Sequence, residues 1–149
     1  MLELKVKKVH PDAIMPYVGT DGAACFDIST IEDIDFAPGE IKLVRTGLCI
    51  EPPIGWRLNL YPRSSTGLKR KFLLANSVGI IDEDFRHEIQ ILLMNIATED
   101  GKFVYNNIRK GERIANLEVV PSNKASTISI LEVDKLNSTN RIGGFGSTL

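Results

Sequence analysis

The chain has no long apolar run. The longest stretch, Ile89 to Ala97, is broken by Gln90 and Asn95 and is far too short to span a bilayer. Charge of one sign is also missing: 18 Lys and Arg against 19 Asp and Glu give a net charge of −1 and a pI near 6.1. A nucleic-acid binder would show a basic excess, so no nucleic-acid partner is expected. A local cluster of cations can still bind a small anion whatever the total charge. The two cysteines, Cys25 and Cys49, have no metal-ligand spacing and make no disulfide framework, so they read as small core residues. The N-terminal residues Met1 to Lys8 alternate with charges and lack the apolar core of a signal peptide. These absences point to a cytoplasmic protein with no membrane contact. At 149 residues the chain is one domain, large enough to bury a core.

What is present is a period of two. Leu2, Leu4 and Val6 alternate with Glu3, Lys5 and Lys7; Trp56, Leu58 and Leu60 alternate with Arg57, Asn59 and Tyr61. Further strands are expected at Ala24–Ser29, Ile41–Ile50, Val78–Ile81, Glu88–Ile96, Lys102–Tyr105, Arg113–Val120 and Thr127–Val133. Turn sequences such as Ala37-Pro38-Gly39-Glu40, Pro52-Pro53-Ile54-Gly55 and Glu99-Asp100-Gly101-Lys102 punctuate them. Many short strands of this kind predict an all-β sandwich or barrel. Only Ser64 to about Lys71 departs, reading as a short helix with Ser64 or Ser65 as its N-cap. The acidic stretch Glu32-Asp33-Ile34-Asp35 reads as a solvated turn. Residues 1–133 form the expected β domain, and the polar, glycine-rich 134–149 reads either as a frayed tail or as a flexible arm.

Three segments carry residues suited to phosphate chemistry. Gly79-Ile80-Ile81-Asp82-Glu83-Asp84-Phe85 puts carboxylates and a ring at a tight turn between apolar runs. Asp82, expected to be partly shielded at the strand end, either stabilises the turn or accepts a proton from an attacking water. Phe85 either packs on the core or lies against a sugar. Pro62-Arg63-Ser64-Ser65 offers a guanidinium fork and hydroxyls for phosphate oxygens, beside the free N–H groups of a helix start. Equally, Arg63 reads as a surface residue there. Gly143-Gly144-Phe145-Gly146-Ser147-Thr148, following Arg141, lacks the strand–loop–helix context of a phosphate loop but suits an arm closing over a flat base. Neither His10 nor His87 sits in a triad-like context, and no metal cage is evident.

With these residues in view, the chain resembles the trimeric dUTPases through five motifs in order across nearly its whole length. They are Ala24-Cys25-Phe26-Asp27, Pro62-Arg63-Ser64-Ser65, Gly79 to Phe85, Gly111-Glu112-Arg113-Ile114-Ala115-Asn116, and Arg141 with Gly143 to Thr148. The resemblance implies a jelly-roll-like subunit and a homotrimer with active sites at subunit boundaries. The implied reaction is hydrolysis of dUTP to dUMP and pyrophosphate, which limits uracil in DNA and supplies dUMP for thymidylate synthesis. It implies that Asp82 positions the water attacking the α-phosphorus. Asn76 and the backbone of Gly79, Ile80 and Ile81 would read the uracil edge, with Gln90 among the substrate contacts and Phe85 excluding a ribose 2′-hydroxyl. Arg63, Ser64 and Ser65 would hold phosphates, while Arg141, Gly146, Ser147 and Thr148 close over them and Phe145 stacks on the base. Mg²⁺ would ride on the triphosphate, with Asp27 touching its water shell. Phe85 stands where the family commonly has Tyr, Cys25 where it has Gly, and Asn116 where it has Gln. Two alternatives remain: a dCTP deaminase, with Glu88 near the base, and a dUTPase-like module that engages a regulatory protein partner.

Overall fold

The computed structural model describes residues 2–140, and in them alternation becomes a set of short antiparallel strands. In chain order these are β1 (Lys5–Lys8), β2 (Phe26–Ser29), β3 (Ile34–Phe36), β4 (Ile41–Arg45) and β5 (Leu48–Glu51). There follow β6 (Trp56–Pro62), the helix α1 (Ser64–Leu68), β7 (Phe72–Leu74), β8 (Gly79–Ile81) and β9 (Gln90–Asn95). The last are β10 (Thr98–Glu99), β11 (Lys102–Phe103), β12 (Asn106–Ile108) and β13 (Arg113–Pro121), then a single 3-10 turn at Ala125–Thr127.

Two sheets carry the core. One has the order β2-β13-β6-β8 and the other β4-β9-β7, with pairs β1-β5, β3-β12 and β10-β11 around them. They do not close into a barrel; this is the expected all-β, jelly-roll-like architecture with one short helix. Inward positions of the first sheet, Ile28, Leu58, Leu60 and Leu117, meet Val44, Phe72, Ile91 and Leu93 of the second in one buried cluster. Phe36 and Phe72 pack with ring centroids 4.8 Å apart.

Several expectations need correction. Ile41–Ile50 is two strands, because Gly47 takes φ +68 and turns the chain between them. That turn is tightly packed: a Cβ on Gly47 would lie 2.9 Å from the Cβ atoms of both Ala13 and His10. The acidic stretch at 32–35 is not simply solvated. It leads into β3, and the Glu32 carboxylate accepts the Arg45 N–H at 3.0 Å while Asp33 accepts the Lys110 N–H at 2.9 Å. Thr127–Val133 is no strand. Among the described residues no strand pairs with it, and Ile128, Ile130 and Leu131 stand exposed. Cys25 and Cys49 are half-buried free thiols rather than core residues.

Candidate functional site

The site is best built from β13. A bulge between Arg113 and Ala115 breaks its register with β2. Ladder carbonyls released by a bulge need other donors. Here Arg63 Nη1 donates to the Arg113 carbonyl at 3.1 Å and the Thr66 hydroxyl to the Ile114 carbonyl at 3.1 Å. These bonds pin α1 against the bulge. The helix is capped by Arg63 itself, not by Ser64 or Ser65; its cap makes no side-chain bond, and the Arg63 carbonyl accepts the Thr66 N–H at 2.9 Å. A second tie comes from Arg70, just beyond α1, whose guanidinium donates to both oxygens of Glu112.

Asp27 is the centre of this half. Its Oδ1 accepts Arg63 Nε at 2.8 Å and its Oδ2 accepts Arg113 Nη1 at 2.9 Å. Arg63 Nη1 also reaches the Ser65 hydroxyl at 3.3 Å, while Ser64 lies exposed at the helix start. The Arg113 guanidinium stands 5.9 Å over the Tyr17 ring, and Tyr17 bridges Asp27 backbone to backbone. Asp27, Cys25 and Asn116 line a cleft of about 260 Å³ with Gly19 and Thr20. Burial first, then the Glu118 and Asp27 carboxylates, push the Cys25 thiol upward, so it stays protonated. The arrangement is a cationic, hydroxyl-bearing surface around one carboxylate.

The other half lies on β8, at the free edge of the four-stranded sheet. One edge pairs with β6, through Leu58↔Ile81 and Leu60↔Gly79, and alternate N–H and C=O groups point away from the sheet on the other. Packing at Gly79 is close, since a Cβ there would meet the Leu60 side chain at 3.1 Å and come within ordinary contact, 3.5 Å, of the Asn76 amide nitrogen. Asn76 sits in the turn before it, where Ser77 adopts φ +63 and the Asn76 carbonyl accepts the Val78 N–H at 2.7 Å.

Residues 82–85 form a turn, closed by Phe85 N–H donating to the Asp82 carbonyl at 3.1 Å. It is not a hairpin tip: β8 belongs to one sheet and β9 to the other, so the turn is a crossover between layers. Glu83 anchors it, accepting the Gly55 N–H at 2.7 Å and Lys124 Nζ at 2.9 Å. Arg86 braces it by donating to the Glu83 and Phe85 carbonyls. The lysine contact, the Gly55 bond and Arg86 hold the Glu83 carboxyl below its ordinary range. Asp82 itself is exposed rather than shielded, and among the described residues nothing hydrogen-bonds its carboxylate. It faces a cleft of about 660 Å³ with Arg57, Ile80 and Lys124. Phe85 packs half-buried against the core, its ring edge-on to His87 at 5.7 Å.

One chain does not bring the halves together. Register sets Asp82 beside Arg57 at one end of β6, and Arg63 follows the other end. Six residues at about 3.3 Å each separate them, roughly 20 Å. Gln90 is elsewhere, opposite Arg45 on the outward face of the three-stranded sheet. Arg141, Phe145, Gly146, Ser147 and Thr148 lie outside the described residues. Sequence reasoning passed over Arg113 and Tyr17; Arg113 carried a signal in its motif, whereas nothing local marked Tyr17. Glu88 is not free to act on a base. Its carboxylate accepts Gly47 N–H at 2.8 Å and Arg45 Nη2 at 3.0 Å. Among the described residues no group of three or more His, Cys, Asp or Glu could hold a metal.

A profile of the family described as dUTPase matches residues 11–149. The deoxyuridine 5′-triphosphate nucleotidohydrolase of Nautilia profundicola is 40% identical over 148 residues, covering 99% of both chains. That of Helicobacter pylori is 35% identical over 148 residues, covering 99% of this chain and 97% of the relative. Among solved structures, the Staphylococcus bacteriophage 80alpha dUTPase with dUPNHPP superposes with a TM-score of 0.84 at 25% identity, covering 98% of each chain. A mutant dUTPase from phage phi11, described as coordinating a structural Mg(II) ion, shares the fold with a TM-score of 0.78 at 21% identity, covering 91% of this chain and 99% of its own.

Proposed function

The chain belongs to the dUTPase family and hydrolyses dUTP to dUMP and pyrophosphate; from that premise we propose that Asp82 of one copy steers the water while Arg63 and Ser64 of another hold the phosphates. The single observation that carries this is the separation of the two halves along β6. Two side chains rooted at backbone positions roughly 20 Å apart along the strand do not converge on one α-phosphorus within a chain. A rotated copy removes the difficulty, and a ring of such head-to-tail contacts closes as a homotrimer.

In this reading the free edge of β8 and the Asn76 amide meet the uracil edge, which presents acceptor, donor and acceptor in turn. Phe85 stands against the sugar and excludes a 2′-hydroxyl. Asp82 accepts a proton from water as the water oxygen bonds to the α-phosphorus, and the bond from that phosphorus to the α–β bridging oxygen breaks to release pyrophosphate. An exposed carboxylate with no hydrogen-bond partner among the described residues supports that role, because its oxygens are open to solvent.

Asp27, clamped between two guanidiniums, is a positioning residue for Arg63. Its charge is already matched, so it suits the hydration shell of a metal carried by substrate better than a direct metal bond. Mg²⁺ on the triphosphate would neutralise charge on the phosphate oxygens. Arg141, Phe145, Gly146, Ser147 and Thr148 are assigned the closure over phosphates and base.

The test is pyrophosphate release from dUTP, dTTP, dCTP and UTP, with and without Mg²⁺, for the parent and for Asp82→Asn. The substitution is expected to lower dUTP turnover by about 10²–10⁴-fold, the range of general-base catalysis, while calorimetric dUTP binding persists. Turnover within a few-fold of the parent would remove Asp82 from the reaction.

A further inference from the structure

Phe85 has to be held as well as placed. Its ring is half-buried, packed against the core on one side with the rest outside it. Phenylalanine carries no hydroxyl, so no ordinary hydrogen bond can fix the outer part; another side chain must touch it. The His87 imidazole does so. It lies edge-on to the Phe85 ring, with centroids 5.7 Å apart and planes at 73°. That is an arrangement aromatic quadrupoles favour. His87 is exposed, and among the described residues neither a hydrogen bond nor an ion pair holds its imidazole.

The backbone of His87 is fixed from both sides. Upstream, Phe85 N–H closes the turn on the Asp82 carbonyl at 3.1 Å. Arg86 is taken up by the Glu83 and Phe85 carbonyls and by Glu51 at 3.4 Å. Downstream, the Glu88 carboxylate accepts Gly47 N–H at 2.8 Å, and Ile89 N–H donates to the Leu48 carbonyl at 2.8 Å. His87 is strung between two anchors, so its ring meets Phe85 from a rigid base.

We propose that His87 is a positioning residue for Phe85 and thereby sets how strictly the site refuses a ribose. The inference rests on the reading that Phe85 stands against the sugar. An apolar wall rejects a substrate that merely adds a hydroxyl by only about 10²-fold. That hydroxyl adds one heavy atom, so a wall that yields by about 1 Å loses much of the factor. His87 acts through the ring it braces, not on the nucleotide.

Steady-state kinetics with dUTP and UTP decide the matter, read as the ratio of the two kcat/KM values. The proteins compared are the parent, His87→Ala, His87→Phe and Phe85→Leu. His87→Ala is expected to lower the ratio by about 2- to 10-fold, the scale of one aromatic pair. His87→Phe returns a ring to the same place and is expected to restore the ratio. A general loss of stability would depress both substrates together and leave the ratio unmoved. A parent-like ratio in His87→Ala, with Phe85→Leu reduced, would overturn the role of His87 and leave the sugar wall standing. A parent-like ratio in Phe85→Leu would overturn the sugar wall and this inference with it. Equal loss in His87→Ala and His87→Phe would show that the ring is not what matters, and would overturn the inference as well.

Discussion

Glu88 shows how a single carboxylate can look catalytic and be structural. It sits three residues beyond Phe85, where a deaminase reading would want a base. Burial raises its proton affinity, but the hydrogen bonds from Arg45 and from the Gly47 N–H outweigh burial, and its pKa falls below the ordinary 4.5. The sign follows from linkage: a depressed folded-state pKa adds stability above about 4.5, and that stability is lost as pH drops through the lower folded value. Glu88→Gln is therefore expected to destabilise the fold by about 1–3 kcal/mol at pH 7. Urea titrations at intervals between pH 7 and pH 3 should show the gap from the parent narrowing below pH 4.5. A gap that stays constant through that interval would show the pair contributes no pH-dependent stability. Asp82 is the contrast. With no hydrogen-bond partner among the described residues, it adds nothing visible to the fold there, which leaves its oxygens available for chemistry.

At the scale of elements, the corner at Gly47 and the bulge at Ile114 decide where functional groups point. The Gly47 N–H holds Glu88, and the positive φ there lets β4 turn into β5. Gly47→Ala brings a left-handed backbone penalty together with contacts near 2.9 Å to Ala13 and His10. The expected loss is about 2–4 kcal/mol, read as a lower denaturation midpoint in urea at unchanged slope. A midpoint within error of the parent would mean the corner relaxes freely. Strands with clean alternation, such as β6, were legible in sequence, because burial on one face requires period two. Thr127–Val133 has the same alternation and forms no strand. Alternation reports a face that wants burial, whereas strand formation also needs a backbone partner, and the described residues supply none there. β3 was missed for the opposite reason, its three residues being too few to show a period beside acidic neighbours.

For the whole molecule, the decisive feature is the separation of Asp82 from Arg63. Asp82→Asn and Arg63→Ala should each be nearly inactive alone. Mixed after denaturation and refolded together, they are expected to regain about a quarter of parent turnover, the random-mixing value for a site that takes one residue from each of two copies. No recovery from the mixture would mean that each site draws both residues from one chain.

The order of residues along the chain by itself determined the all-β architecture, the candidate residues and the chemistry they suit, because strand period and motif chemistry are local properties. Only the tertiary structure decided which of those residues stand together. Pairing of β8 with β6 fixes a separation, and the bulge on β13 turns Arg113 and Arg63 toward Asp27. Register and bulges are set by long-range packing, which no short stretch of sequence encodes.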